Sequence, residues 1–230
     1  LAHTSGLPGL GPDDAQPACL NDLAGITLEA CVAQIATAPL VSTPGLVFNY
    51  GAADYQVAGY IATRIADQGW QAFFDSRIGQ PLGLGTFTFG DPATVTNPRV
   101  AGSGTSDVAD YVKILQMVLN DGAAGGASVL SARSVRALET NQIAGRSVQY
   151  SPADSNLYPG YTFGFFISDA SLHPGSAGPE FSAPGLFGAL PWIDEDLGYG
   201  AVLLIDSNET TGQAMWNAVR PQIIAALTAS

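Results

Sequence analysis

The period of the apolar residues changes near Pro159, and this change limits the possible folds more than any other feature of the sequence. Before it, apolar residues recur at steps of three and four, which is the period of an amphipathic helix. After it, short β-branched and aromatic runs are separated by Gly, Pro and Asp, which is typical of strands joined by turns. Helices followed by strands predict an α+β fold, with helices packed on an antiparallel sheet.

Four segments carry the helical period. The apolar residues within residues 52–68 would form one face of a helix, and Gly69 follows that segment. The apolar residues within residues 108–119 would form a second such face, and Asp121 and Gly122 follow it. Hydroxyl side chains often cap helix N-termini. We therefore predict helices over residues 52–68, after a cap at Thr105 or Ser106, after Ser131, and over residues 212–227.

Three later segments, residues 161–167, 187–193 and 199–205, are predicted to be strands. Residues 195–198 (Glu-Asp-Leu-Gly) form the predicted hairpin turn between the last two. The sequence shows no repeat of fixed period and no linker. We therefore assign residues 1–230 to one domain.

Composition excludes several classes of function. Hydrophobic residues make up 47% of the chain, but no apolar run approaches the ~18 residues that span a bilayer, so we expect no membrane association. The net charge of −12 opposes nucleic-acid binding, which needs clustered Lys and Arg. The chain has two His and two Cys, and their spacing does not match that of zinc ligands. We therefore expect neither a metal nor a cofactor.

The two cysteines, Cys19 and Cys31, bracket a segment in which a helix could begin at Thr27. Cysteines twelve residues apart on either side of such a turn can approach closely enough to bond. A disulfide over residues 19–31 would indicate an oxidising compartment. The alternative is two buried free thiols in a cytosolic protein.

Several short motifs occur in a recognisable order. His3-Thr4-Ser5-Gly6-Leu7-Pro8 comes first, followed by Phe48-x-Tyr50-Gly51, residues 80–84 (Gln-Pro-Leu-Gly-Leu), and Gly185-x-Phe187-Gly188. In order and spacing they resemble the serine β-lactamase-like superfamily, which includes class C β-lactamases, D-alanyl-D-alanine carboxypeptidases and esterases. The resemblance implies a β-lactamase/transpeptidase-like α+β fold, with an antiparallel sheet flanked by helices.

The catalytic Ser-x-x-Lys motif of that superfamily is absent. Lys113 is the only lysine, and Asp110 stands three residues before it. Because the family places Ser-x-x-Lys upstream of the His-Thr-Ser-Gly-Leu stretch, the resemblance implies the larger C-terminal part of one β-lactamase-like domain, incomplete at its N-terminus. We expect an N-terminal segment or companion chain to carry the nucleophile and to be the partner of this chain.

Tyr50 is the main catalytic candidate. The resemblance aligns Tyr50-Gly51-Ala52 with the Tyr-x-Asn motif, whose tyrosine acts as a general base beside the serine and lysine. The asparagine is replaced by Ala52, a change that esterase-like members often tolerate. The alternative for Tyr50 is a packed aromatic residue before a helix.

The third family motif, Lys-Thr-Gly or His-x-Gly, aligns with Ala183-Pro184-Gly185, which has no cation. Gly185 would let a substrate lie close to the strand, and the N–H of Leu186 would be an oxyanion donor. Ser182 would contribute a hydroxyl, unless it is an ordinary loop serine. We give less weight to His173, and in this family His3 and Ser5 are mainly structural.

Together these features predict a secreted or periplasmic serine hydrolase that acts through an acyl-enzyme on a small ester or amide. An esterase is favoured over a β-lactamase, because two polar positions that hold the substrate in the family are apolar here. The alternative is a catalytically inactive relative that serves as a binding or structural module. Finding Ser-x-x-Lys in an upstream segment or companion chain would discriminate between the two.

Overall fold

The computed structural model describes residues 1–154, 156–168, 175–176 and 178–229. These residues form two compact units. Unit 1 contains residues 1–106 and 143–152, and unit 2 contains residues 107–142 and 153–230. The α+β class predicted from the sequence is confirmed, whereas the assignment of residues 1–230 to one domain stays a prediction.

Helices dominate unit 1 and also open and close unit 2. In chain order the α-helices are α1 (Leu28–Thr37), α2 (Ala53–Ala66), α3 (Trp70–Phe74), α4 (Gln80–Leu82), α5 (Val108–Leu119), α6 (Ala132–Glu139) and α7 (Glu209–Thr228). The strands are β1 (Val47–Asn49), β2 (Ala123–Ala124), β3 (Ala127–Ser128), β4 (Ser147–Tyr150), β5 (Gly160–Tyr161), β6 (Phe166–Ser168), β7 (Glu180–Ser182), β8 (Leu190–Asp194) and β9 (Tyr199–Leu203).

Unit 1 is built around α1 and α2. Thr27 caps α1, its hydroxyl accepting a hydrogen bond from the N–H of Ala30 at 3.1 Å. The buried core of this unit contains Cys19, Cys31 and Ile35. The two cysteines form a disulfide, with their Cα atoms 5.3 Å apart, so the predicted bond is confirmed. β1 pairs in parallel with β4 in the same unit.

Unit 2 contains a five-stranded antiparallel sheet in the order β5-β6-β7-β8-β9. α5 packs against β9, and α7 packs against β8 and β9. Leu190, Trp192 and Trp216 form a buried cluster within this unit. The two indole rings meet edge to face, with centroids 6.4 Å apart.

Three predicted boundaries were wrong. Residues 161–167 are not one strand, because Gly164 has a φ of +137° and the Thr162 hydroxyl accepts from the N–H of Phe165, which makes a turn between β5 and β6. The strand predicted over residues 187–193 begins only at Leu190, after another turn. The cap of α5 is Asp107, which accepts from the Asp110 N–H, and not Thr105 or Ser106.

Other elements agree with the sequence. The helices expected over residues 52–68, after Ser131, and over residues 212–227 correspond to α2, α6 and α7. Residues 195–198 form the turn between β8 and β9, as predicted. Among the residues described, no helix combines the length and apolar character needed to cross a bilayer.

Candidate functional site

Tyr50 lies between β1 and α2 in unit 1, and its backbone is fixed on both sides. Its N–H donates to the carbonyl of Tyr150 at 3.1 Å, and its own carbonyl accepts from the N–H of Leu10 at 2.7 Å. The residue is half-buried, and Gly51 follows it in close contact with the backbone of Gly9. A methyl group on Gly51 would lie 2.8 Å from the Gly9 Cα, so this crossing requires a glycine.

A buried histidine packs against this tyrosine. His3 is only 2% exposed, and its ring centroid lies 4.5 Å from that of Tyr50 and 5.1 Å from that of Tyr55. Its Nδ1 lies 3.5 Å from the Asp54 carboxylate and 3.4 Å from the Gly51 nitrogen. His3 therefore connects the first residues of this chain to the first turn of α2.

Burial and hydrogen bonding set the charges of this cluster. Burial lowers the pKa of His3, although the neighbouring Asp54 carboxylate opposes that shift. For Asp54, burial would raise the pKa, but hydrogen bonds from His3 and Ser5 outweigh it and lower the pKa. At neutral pH, Tyr50 therefore faces an uncharged imidazole backed by a carboxylate.

The other predicted site residues follow one another at the end of β7 in unit 2. Ser182 is fully buried in the strand, opposite Trp192 of β8, so it is not a loop serine. It lies near the phenol of Tyr158, whose pKa is raised mainly by burial while the neighbouring Ser182 hydroxyl opposes the rise. The Ser182 side chain therefore belongs to the interior of this unit.

Gly185 and Leu186 occupy a tight turn after this strand. The Gly185 N–H donates to the carbonyl of Ala189 at 2.7 Å, and the Gly188 N–H donates back to the carbonyl of Gly185 at 2.9 Å. The N–H of Leu186 donates to no acceptor among the residues that the structure describes. A backbone donor in a pinned turn is suited to an incoming oxygen.

A buried charge cluster supports the beginning of the same strand. Glu180 in β7 and Asp194 in β8 are directly opposite each other and fully buried. Arg220 from α7, which is 3% exposed, donates through Nε to Glu180 and places Nη2 3.6 Å from Asp194. Burial raises the pKa of Glu180 to about 7, with Arg220 opposing the rise and Asp194 adding to it.

The structure thus brings Ser182, Gly185 and Leu186 together in unit 2 and places Tyr50 in unit 1. His173 lies outside the described residues. Sequence reasoning missed Asp54, which the spacing of four residues from Tyr50 could have indicated. It also missed the pairing of Glu180 with Arg220, for which no signal exists over 40 residues of sequence.

Comparison with known proteins assigns the chain to a family. The family model described as β-lactamase matches residues 1–222. The chain belongs to the β-lactamase family. The β-lactamase/transpeptidase-like fold that the motif resemblance implied is therefore confirmed for this chain.

Individual relatives of the β-lactamase family are similar over most of this chain. It is 28% identical over 243 residues to protein Rv1367c of Mycobacterium tuberculosis, covering 89% of this chain and 60% of that protein. The hydrolase EstCE1, described as having promiscuous acyltransferase activity, matches with 17% identity and a TM-score of 0.76, covering 97% of this chain and 70% of its own. A β-lactamase from Mycobacterium bovis matches with 19% identity and a TM-score of 0.66, covering 99% and 72%.

The two curated relatives are longer than this chain, which spans about 60% of their length. The similarity to solved structures of the β-lactamase family is below 25% identity and supports the fold. In the part of the chain that the structure describes, no three His, Cys, Asp or Glu side chains are grouped to hold a metal ion.

Proposed function

We propose that this chain is the substrate-binding and general-base part of a serine hydrolase that acts through an acyl-enzyme. The observation that carries the proposal is the position of Tyr50, which is fixed by two backbone hydrogen bonds and packs on the buried His3 ring. A catalytic base must keep its position through the reaction. The fixed backbone and the buried ring behind Tyr50 supply that rigidity.

The nucleophile in this proposal is the serine of a Ser-x-x-Lys motif on an upstream segment or companion chain. The phenolate oxygen of Tyr50 takes the serine proton as the serine oxygen attacks the ester carbonyl carbon. Tyr50 then returns that proton to the departing alcohol, leaving the acyl-enzyme. In the second half, water attacks the acyl carbon, its proton passes through Tyr50 to the serine oxygen, and the acid is released.

The turn after β7 is assigned to the developing oxyanion. The N–H of Leu186, which has no acceptor among the described residues, donates to the carbonyl oxygen of the substrate. Gly185 leaves space for the substrate to lie along this backbone. Ser182, being fully buried, acts by supporting the strand.

The substrate in this proposal is a small ester in preference to a β-lactam or peptide. Ala183-Pro184-Gly185 offers no cation for a substrate carboxylate, and Ala52 stands where the family has an amide-binding asparagine. The disulfide between Cys19 and Cys31 favours a secreted or periplasmic location.

The test is hydrolysis of 4-nitrophenyl acetate by the complete polypeptide that contains this chain. Tyr50→Phe should lower kcat by roughly 10²–10⁴-fold, the usual contribution of a positioned base. Tyr55→Phe is the matched control, since Tyr55 packs on the same His3 ring, and it should leave kcat nearly unchanged. Equal activity of wild type and Tyr50→Phe would contradict the proposal and favour a catalytically inactive binding or structural module.

A further inference from the structure

We propose that Leu186 and Phe187 form an apolar platform that binds the acyl chain of a neutral ester. This inference rests on the proposed function, because it names the substrate class of the same site. Leu186 is 73% exposed and Phe187 is 66% exposed, and the two are adjacent in the chain. A contiguous exposed apolar patch, in contrast to a single exposed side chain, commonly marks a binding site.

The platform is held rigidly. Besides the two hydrogen bonds that close the turn, the Phe187 carbonyl accepts from the N–H of Ser207 at 2.9 Å. Gly188 has a φ of +91°, and a methyl group there would lie 2.6 Å from the carbonyl oxygen of Asn208. The Gly188 backbone also packs closely on Gly212 in the first turn of α7. The two side chains are therefore presented on a backbone that cannot fold them inward without breaking these contacts.

Position relative to the proposed oxyanion donor identifies the occupant. A carbonyl oxygen bound by the Leu186 N–H lies about 2.9 Å from that nitrogen, so the acyl group begins at the backbone of Leu186 and next to that of Phe187. In an acyl-enzyme reaction the acyl group stays at this carbon through both steps, whereas the alcohol leaves after the first. The surface beside the donor therefore acts on the acyl chain throughout the reaction.

Charge argues against an anionic occupant of the platform. The motif beside the platform, Ala183-Pro184-Gly185, carries no cation, and the chain has a net charge of −12. Both features disfavour an anionic substrate such as one with a free carboxylate. An uncharged acyl chain of several methylene groups fits both the apolar side chains and the electrostatics.

The platform can be tested in the complete polypeptide by comparing 4-nitrophenyl octanoate with 4-nitrophenyl acetate. In Phe187→Ala the octanoate-to-acetate ratio of kcat/KM should fall by about tenfold, since an aromatic contact with several methylene groups is lost. Acetate carries a single methyl group in place of the heptyl chain, so the ratio within each variant is the quantity compared. Ile65→Ala removes an even more exposed apolar side chain, at 83%, from α2 in unit 1, and it should leave the ratio unchanged.

A second measurement does not depend on activity. The ketone 2-nonanone carries the same heptyl chain on a carbonyl and cannot be hydrolysed. NMR titration should show shifts at the amides of Leu186 and Gly188, and the Kd should rise about tenfold in Phe187→Ala but not in Ile65→Ala. An unchanged octanoate-to-acetate ratio, or an equal ketone Kd in wild type and Phe187→Ala, overturns the platform.

The two proposals fail in different ways. If the wild type hydrolyses neither ester but the ketone binds in a Phe187-dependent manner, the proposed function is wrong and the apolar site stands. If both esters are hydrolysed with a ratio that Phe187→Ala does not alter, the hydrolase stands and the platform is wrong.

Discussion

Replacing Arg220 with methionine should destabilise unit 2 in a pH-dependent way. Arg220 is the cation between Glu180 and Asp194, and all three side chains are buried. Methionine keeps much of the apolar stem but removes the charge, leaving two opposed carboxyl groups on neighbouring strands without a cation. Removing one partner of a buried ion pair typically costs about 3–5 kcal/mol, because the remaining charge is uncompensated.

The pH dependence follows from the pKa of Glu180, which is raised to about 7 by burial even with Arg220 present. Arg220 opposes this rise, so the pKa should increase further without it. We expect Glu180 to remain largely protonated at pH 8 in the variant, whereas most of it is ionised in the wild type. Because the pKa of Glu180 is higher in the folded than in the unfolded state, the free energy of unfolding falls as pH rises through that pKa. The fall is larger in the variant, because its folded-state pKa is higher still. The cost of the substitution should therefore be about 1.4 kcal/mol larger at pH 8 than at pH 5.

Urea unfolding at pH 5 and pH 8 measures both effects, with Trp192 and Trp216 of the buried cluster as fluorescence reporters. The double variant Glu180→Gln/Arg220→Met should recover part of the stability and lose the extra cost at pH 8. Arg133→Met, at an exposed position of α6, is the surface control and should change stability by less than about 0.5 kcal/mol. A cost for Arg220→Met below about 1 kcal/mol, equal at both pH values, would refute the reasoning.

Three further predictions concern stability. The Cys19→Ser/Cys31→Ser variant should lose about 3 kcal/mol of unfolding free energy. A reductant should lower the unfolding free energy of the wild type to the same level. A wild type that is unaffected by reductant would contradict the disulfide. Burial and the nearby Glu195 raise the pKa of Glu139 to about 8, so the free energy of unfolding of the wild type should decline as pH rises towards 8. The free energy of unfolding of Glu139→Gln, measured in urea titrations, should decline less over the same pH range. Parallel curves for the two proteins would argue against the raised pKa. Gly188→Ala should lower the unfolding free energy by about 1–3 kcal/mol more than Gly198→Ala. Both glycines have a positive φ, but only Gly188 has neighbouring atoms where the new methyl group would lie. Equal losses would show that this crowding at Gly188 is unimportant.

The helices were predictable because each carries its own periodic signal. Apolar residues recur with the helical period across residues 52–68, and α2 lies within this segment. Ser131 was predicted to precede a helix, and it caps α6 by accepting from the N–H of Ser134. Signals of this kind depend only on neighbours within one or two turns.

Short strands were less predictable. β7 has three residues, and β1 and β4 have three and four, so none is long enough for an alternating pattern to stand out. β1 pairs with β4 over about 100 residues of sequence, which local periodicity cannot reveal. The turn at residues 162–165 was hidden because the aromatic residues on both sides resemble one continuous strand.

The candidate site was partly predictable for the same reason. Tyr50 and Gly185 belong to short motifs whose residues are adjacent in sequence. The neighbours that support them are distant, as in the contact of His3 with Asp54 or of Glu180 with Arg220. The side-chain exposure of Leu186 and Phe187 depends on how the turn at Gly188 packs, which the sequence does not state.

The most direct test of the proposed function is to find the nucleophile. An alkyl fluorophosphonate transfers its phosphonyl group to an activated serine oxygen and releases fluoride, so it labels the catalytic serine of a serine hydrolase. Peptide mapping of the labelled complete polypeptide should find one modified serine, in a Ser-x-x-Lys motif outside these 230 residues, and Tyr50→Phe should label more slowly. Absence of labelling, or a label on Ser5, Ser182 or another serine within this chain, would contradict the account.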